Sequence, residues 1–254
     1  MYRTKKALLV GINYTGTEAS LNGCINDVKN VKQLLITKFG YKEADITMLT
    51  DETELHPTRN NILAYFLELL LADNSDLYFH YSGHGSQIKD DTGDEKDGSD
   101  EALVPIDYLE SGLITDDELR GVLQCMKATC KLTIVLDCCH SGTGIDLAYN
   151  LYERMGKNYL LADSNTKMTT TRGQVVCISG CMDNQTSADA YISTEYQGAL
   201  TNNFINAMNT ITGKSRTYNN IYNAIKTGLR TSKYTQIPCL SSGTLVDINS
   251  IMNL

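Results

Sequence analysis

An alternation constrains this chain more than any other feature. Apolar runs rich in Val, Ile, Leu and aromatic residues recur at 6–14, 45–49, 76–82, 132–137 and 174–179, and they read as strands. Stretches of helical period separate them. Ile25, Val28, Val31, Leu34 and Leu35 form one apolar stripe over 24–39, which Gly40 stops. A second helix over 58–71 opens at Thr58, a suitable N-cap, and a third over 115–126 opens at Thr115-Asp116-Asp117-Glu118. Helices near 198–211 and 217–230 precede a short closing strand at 237–240, and another short strand is expected at 102–106. The stretch 83–100 reads as an acidic, Gly-containing loop and 148–173 as a mobile connector. Strands alternating with helices imply an α/β fold: a central, mostly parallel sheet with helices on both faces. Working groups then gather beyond the carboxyl ends of the strands.

Charge narrows the partners. Lys and Arg number 22 against 30 Asp and Glu, a net −8. Nucleic acid and anionic membranes reward clustered basic residues, so neither is expected as a partner. The excess suits a cationic ligand, and it is equally an ordinary solubility charge. The apolar run Ala7–Ile12 is too short for a signal core or a membrane span. The expectation is a soluble, cytoplasmic monomer. The eight cysteines include an adjacent pair, Cys138 and Cys139, in a chain of 254 residues, which favours reduced thiols over a disulfide framework. The histidines lack ligand spacing beside cysteines, so zinc is not expected.

Cys139 sits where a buried strand stops, ahead of His140-Ser141-Gly142-Thr143-Gly144. His84 lies between Gly83 and Gly85 at the end of a neighbouring strand. A thiol, a base and oxyanion donors are the parts of nucleophilic acyl chemistry. Here Cys139 would be the nucleophile, His84 the base, and the amides of Gly83 and Cys139 the donors. His140 is a poor base for its own neighbour, since adjacent side chains point apart. His80 reads as a satisfied core residue, and His56 precedes a proline in a loop. Cys138 faces the other way, as a small buried hydrophobe. A buried, inert thiol remains the alternative for Cys139 itself.

Tyr81-Ser82-Gly83-His84-Gly85 and Asp137-Cys138-Cys139-His140-Ser141-Gly142 resemble the two active-site signatures of the metacaspases, relatives of the caspases in the caspase/haemoglobinase fold. Cys139 follows His84 by 55 residues. Asn22-Gly23-Cys24-Ile25-Asn26-Asp27, Ser179-Gly180-Cys181 with 183–189, and Gln236-Ile237-Pro238 with 240–243 extend the likeness over nearly the whole chain. The resemblance implies a large, p20-like segment over 1–147, a connector over 148–173 and a small, p10-like segment over 174–254, together one domain. It also implies a cysteine endopeptidase acting on protein or peptide substrates. Asp27, Asp137 and Ser82, with Cys24 beside them, would line the pocket for the residue before the cut. Asp137 ends a buried strand, a costly place for a carboxylate without a cationic partner. That partner could be one of the chain's own cations. A substrate Arg or Lys would also fill the role, and the Arg fork can bind two carboxylates.

The loop carrying Asp90, Asp91, Asp94, Glu95, Asp97, Asp100 and Glu101 reads either as a solvated acidic loop or as part of an oxygen cage. An EF-hand is excluded, because Gly98 as sixth position would put Gly93 first and Val104 twelfth. The resemblance implies Ca2+ as activator, with Asp100, Asp116, Asp117 and Asp146 as ligands. It also implies possible self-processing, for which the connector offers Arg154, Lys157, Lys167 and Arg172. The alternative function is a non-proteolytic, calcium-responsive interaction or proteostasis module on the same fold.

Overall fold

The computed structural model describes residues 3–89, 99–138, 145–162, 170–180, 189–192, 195–234 and 236–254. Its elements run β1 (Thr4–Gly11), α1 (Cys24–Phe39), β2 (Ile46–Thr50), α2 (Arg59–Leu70), β3 (Ser75–Ser82), β4 (Gly85–Lys89), β5 (Ser99–Leu103), α3 (Tyr108–Ser111), β6 (Ile114–Thr115), α4 (Asp116–Leu123), β7 (Lys131–Asp137), β8 (Tyr149–Arg154), β9 (Lys157–Ala162), β10 (Gln174–Ser179), β11 (Asp189–Ile192), β12 (Glu195–Gly198), α5 (Ala199–Thr210), α6 (Tyr218–Thr231) and β13 (Cys239–Ser242). Eight strands make one sheet in the order β2-β1-β3-β7-β10-β13-β8-β9. The first five are parallel, and the last three joints are antiparallel. The mostly parallel α/β architecture read from the alternation is the observed one.

Strand alternation sorts the core into two layers. Leu8, Val10, Leu77, Phe79, Tyr81, Ile134 and Leu136 face one side, where Ile62 and Phe66 of α2 and Leu119 of α4 cover them. Ala7, Leu9, Tyr78 and Val135 face the other, under Val28 and Val31 of α1, Phe204 of α5 and Ile221 of α6. The period of two then fixes where the polar residues at strand ends point. His80, Ser82 and Asp137 share the α1/α5 side. Tyr81 and the residue after Asp137, Cys138, belong to the α2/α4 side.

The helices start where the sequence chemistry places them. Thr58 Oγ1 accepts the Asn61 amide at the head of α2. Thr115 and Glu118 form a reciprocal capping box on α4. The α1 N-terminus has no side-chain cap of its own. The amides of Cys24 and Ile25 instead donate to Asn13 Oδ1, at 3.0 and 3.4 Å. Gly11 lets this helix close on β1, since a Cβ there would lie 2.5 Å from the Cys24 carbonyl oxygen.

Two expectations are corrected. Residues 83–100 are not all loop: Gly85–Lys89 and Ser99–Leu103 pair antiparallel, and β6 joins them in a three-stranded sheet. The connector is not mobile throughout. Residues 149–162 form a hairpin that extends the main sheet beyond β13. Its two-residue turn has Met155 and Gly156 at φ +52° and +70°, the left-handed pair that a tight hairpin needs. Alternating burial along Lys157–Ala162 matches a strand with one face on the protein.

Candidate active site and acidic pocket

β3 and β7 are neighbours, with Ser82 opposite Asp137. His84 and position 139 therefore each follow the paired strand ends by two residues. Cys139 and His140 lie outside the described residues, as does Lys167. Cys138 is 1% exposed in the core, as its reading as a buried hydrophobe requires.

His84 is held on three sides. Its amide donates to Tyr14 Oη at 3.0 Å, and its carbonyl accepts from Tyr81 Oη at 2.8 Å. The Tyr14 ring lies against the imidazole, with centroids 4.8 Å apart. Its Nε2 sits 2.7 Å from the Ala19 carbonyl oxygen. A carbonyl only accepts, so Nε2 carries the proton and Nδ1 is the basic nitrogen. Burial raises the Tyr14 and Tyr81 phenols far above their usual range, so both remain neutral donors. Ala19 was invisible to sequence reasoning, because its contribution is a backbone atom in an irregular turn. Gly83 is required to be small: a Cβ there would lie 2.8 Å from Tyr81 Oη. Its N–H makes a long, 3.4 Å bond to the Asp137 carbonyl. An oxyanion role would require it to leave that bond.

The predicted pocket residues come together. Asp27 in the first turn of α1 is 1% exposed, Ser82 is 1% exposed and Asp137 is 4% exposed; Cys24 is buried at the head of the same helix. Ser82 Oγ donates to Asp27 Oδ2 at 2.6 Å. The Gly198 amide donates to the Asp27 carboxylate at 2.9 and 3.1 Å, and the Thr201 amide donates to Asp137 Oδ2 at 2.8 Å. A Cβ on Gly198 would meet Asp137 Oδ2 at 2.1 Å and Asp27 Oδ2 at 2.7 Å, so both carboxylates converge on this glycine. The φ of Gly198 is −67°, open to any residue. Space selects glycine there, not backbone freedom. Gly198 and Thr201 were missed from sequence, since they lie over 60 residues beyond Asp137 and contribute amides.

The predicted calcium ligands sit near the helix α4 N-terminus. Asp100 and Glu101 are buried on β5, Asp116 is buried and Asp117 half-buried at the start of α4, and Asp146 is buried at φ +40°. The amides of Glu101 and Asp117 donate to Asp116, at 3.1 and 2.8 Å. Burial, with the Asp100 charge adding to it, pushes Asp116 up to about 6 against those hydrogen bonds. Asp146 attracts the half-buried Arg120. Among the described residues no three metal-ligating side chains are gathered around one point. The donor chemistry still fits a hard cation: it is all carboxylate oxygen, buried at a cost that a divalent ion would relieve.

Of the self-cleavage candidates, Arg154 and Lys157 flank the hairpin turn, and Arg172 is exposed beside buried Thr171. His80 is fully buried and hydrogen-bonded, as expected of a core residue, and His56 is exposed. The six described cysteines form no disulfide among the described residues. No helix among the described residues is long and apolar enough to cross a membrane.

A mostly parallel sheet with His84 at one strand end and buried acids at its neighbour defines a chain of the caspase/haemoglobinase fold. Residues 5–148 match the family model for "Metacaspase, peptidase C14 domain". The chain is 37% identical to Metacaspase-1A of Neurospora crassa, over 97% of this chain and 64% of the relative. It is also 37% identical to Metacaspase-1 of Mycosarcoma maydis, over 98% and 73%. It thus spans about two thirds of the Neurospora relative's length. A crystal structure of protein GSU0716 from Geobacter sulfurreducens superposes with a TM-score of 0.69 at 23% identity, over 96% of this chain and 95% of that one, a likeness of fold. The chain belongs to the metacaspase family of cysteine peptidases.

Proposed function

We propose that this metacaspase is a calcium-activated cysteine endopeptidase that cuts after Arg or Lys through Cys139 and His84. One observation carries the specificity: two buried carboxylates, Asp27 and Asp137, converge on Gly198 within the strand-end site that holds His84. Two anions held in one slot favour a side chain that brings a cation, and an Asp side chain would be repelled.

His84 Nδ1 takes the Cys139 proton, and the thiolate adds to the carbonyl that follows the basic residue. The Ala19 carbonyl holds the other ring nitrogen and stabilises the imidazolium, as a triad's third member does. Backbone amides stabilise the oxyanion. The imidazolium then protonates the leaving amine, the thioester forms, and water hydrolyses it. Asp100, Asp116, Asp117 and Asp146 are the residues that would hold Ca2+. A bound ion would supply positive charge beside the segment leading from Cys139 to Asp146. Self-processing within 148–173 belongs to the same reading.

Fluorogenic peptides that differ only in the residue before the cut test it, with calcium or a chelator present. Cleavage after Arg and Lys, its loss in Cys139→Ala and its loss in chelator are expected. A preference for Asp would overturn the pocket assignment, and full activity in chelator would overturn the calcium role.

A further inference from the structure

His80 takes no part in the chemistry above. It is a fully buried imidazole two residues before Ser82, on the same face of β3. Burial lowers it to about 3, so the ring is neutral near pH 7 and has one N–H and one lone pair. Tyr78 Oη lies 3.3 Å from its Nδ1, and burial keeps that phenol protonated. With Tyr78 donating to Nδ1, the His80 Nε2–H donates to Thr201 Oγ1, 3.2 Å away.

Thr201 is the third residue of α5, and its amide grips Asp137. The helix has no side-chain cap of its own. Asp137 and Asp27 accept its first amides instead, so the pocket carboxylates and the first turn of α5 orient one another. Of all the groups that could satisfy a buried imidazole, His80 is bonded to the residue that holds the pocket. The bond also joins β3, in the large segment, to α5, in the small one.

We propose that His80 is a positioning residue for the basic-residue pocket: through Thr201 it fixes the first turn of α5, whose amides aim Asp137 and Asp27 at the substrate cation. This inference rests on reading that pocket as the site for Arg or Lys.

Thr201→Val keeps the backbone amide and the side-chain size but removes the acceptor for His80. Thr201→Ser keeps the hydroxyl. Kinetics are measured on an Arg peptide and on its citrulline counterpart, which has the same shape without the charge. The expected result is a KM for the Arg peptide raised about tenfold in Thr201→Val, with kcat within about twofold. The weaker cleavage of the citrulline peptide should fall by less than that of the Arg peptide, and Thr201→Ser should restore the Arg KM. An unchanged KM in Thr201→Val overturns the proposal. So does an equal loss on both peptides, or a loss that Thr201→Ser leaves in place, since either marks a merely structural role. A wild-type protein that cuts both peptides equally well overturns the pocket reading itself, and this inference with it.

Discussion

Gly198→Ala tests how tightly the pocket is built. The new Cβ would stand 2.1 Å from Asp137 Oδ2 and 2.7 Å from Asp27 Oδ2, and both atoms are held. Asp137 has to retreat by at least about 1.3 Å to reach ordinary contact distance, which breaks its 2.8 Å bond from the Thr201 amide. Asp27 has to shift against its 2.6 Å bond from Ser82. A hydrogen bond to a charged group contributes about 1.5–3 kcal/mol. Two such losses come to roughly 3–6 kcal/mol, offset by ~0.4–1 kcal/mol from the stiffer unfolded chain. The net cost, on the order of 2–5 kcal/mol, is a large share of the ~5–15 kcal/mol that holds such a domain folded. Urea denaturation followed by circular dichroism measures it. Gly121→Ala is the internal control. Gly121 lies in α4 and is exposed, with nothing within 4 Å of a new Cβ, so alanine there should stabilise by up to ~1 kcal/mol through helix propensity. If Gly198→Ala matches the wild type within about 0.5 kcal/mol, a size typical of neutral surface changes, the packing argument is wrong.

The packing of the molecule sets three more outcomes. A Cβ at Gly228 of α6 would lie 2.0 Å from Asn203 Oδ1, whose amide donates to the Ala199 carbonyl; Gly228→Ala should therefore destabilise by about 1–2 kcal/mol, overpacking outweighing ~1 kcal/mol of helix propensity, and added Asn203→Ala should recover part of the loss in urea melts. His80 is depressed from 6.5 to about 3 by burial, so on acidification the unfolded chain takes up this proton first; stability should be intact above pH 6.5 and fall toward pH 3 by on the order of 4 kcal/mol. Urea midpoints from pH 7 to 4 should then fall more steeply in the wild type than in His80→Gln, and equal slopes would refute this. Arg154 and Lys157 flank a two-residue turn, so neither can enter a cleft as an extended strand until β8 and β9 separate. Calcium-induced fragments should carry new N-termini after Lys167 or Arg172, and sequencing that finds Met155 or Asn158 at a new N-terminus would count against this.

The sheet was legible because buried parallel strands and striped helices differ in period, and both periods are strong here. The capped starts of α2 and α4 were legible because Thr58 and Thr115 act on amides three residues away. The hairpin of 149–162 was hidden because its turn is Met-Gly, a weak signal beside Asn-Gly, and because its outer face exposes Tyr152, Tyr159 and Leu161 among polar neighbours. The pair at 85–89 and 99–103 was hidden by the acids between its strands, which dominate any reading of local composition.

The site divides along the same physical line. The side chains proposed for the chemistry announced themselves, since a His between two glycines or an Asp ending an apolar strand is costly without a purpose. The groups that hold them did not, because they are backbone atoms brought in by tertiary structure: the Ala19 carbonyl on His84, and the Gly198 and Thr201 amides on the two aspartates. That difference explains why His80 reads as an ordinary core residue in the sequence. Its partner lies 121 positions away, and only the packing of α5 against β3 joins it to the pocket. Alternation along β3 supplies the link: the parity that buries Tyr78 against Phe204 also turns His80 toward α5 and delivers Ser82 to Asp27. A one-residue slip of β3 would reverse all three at once, so the register of a single strand sets core packing and pocket geometry together.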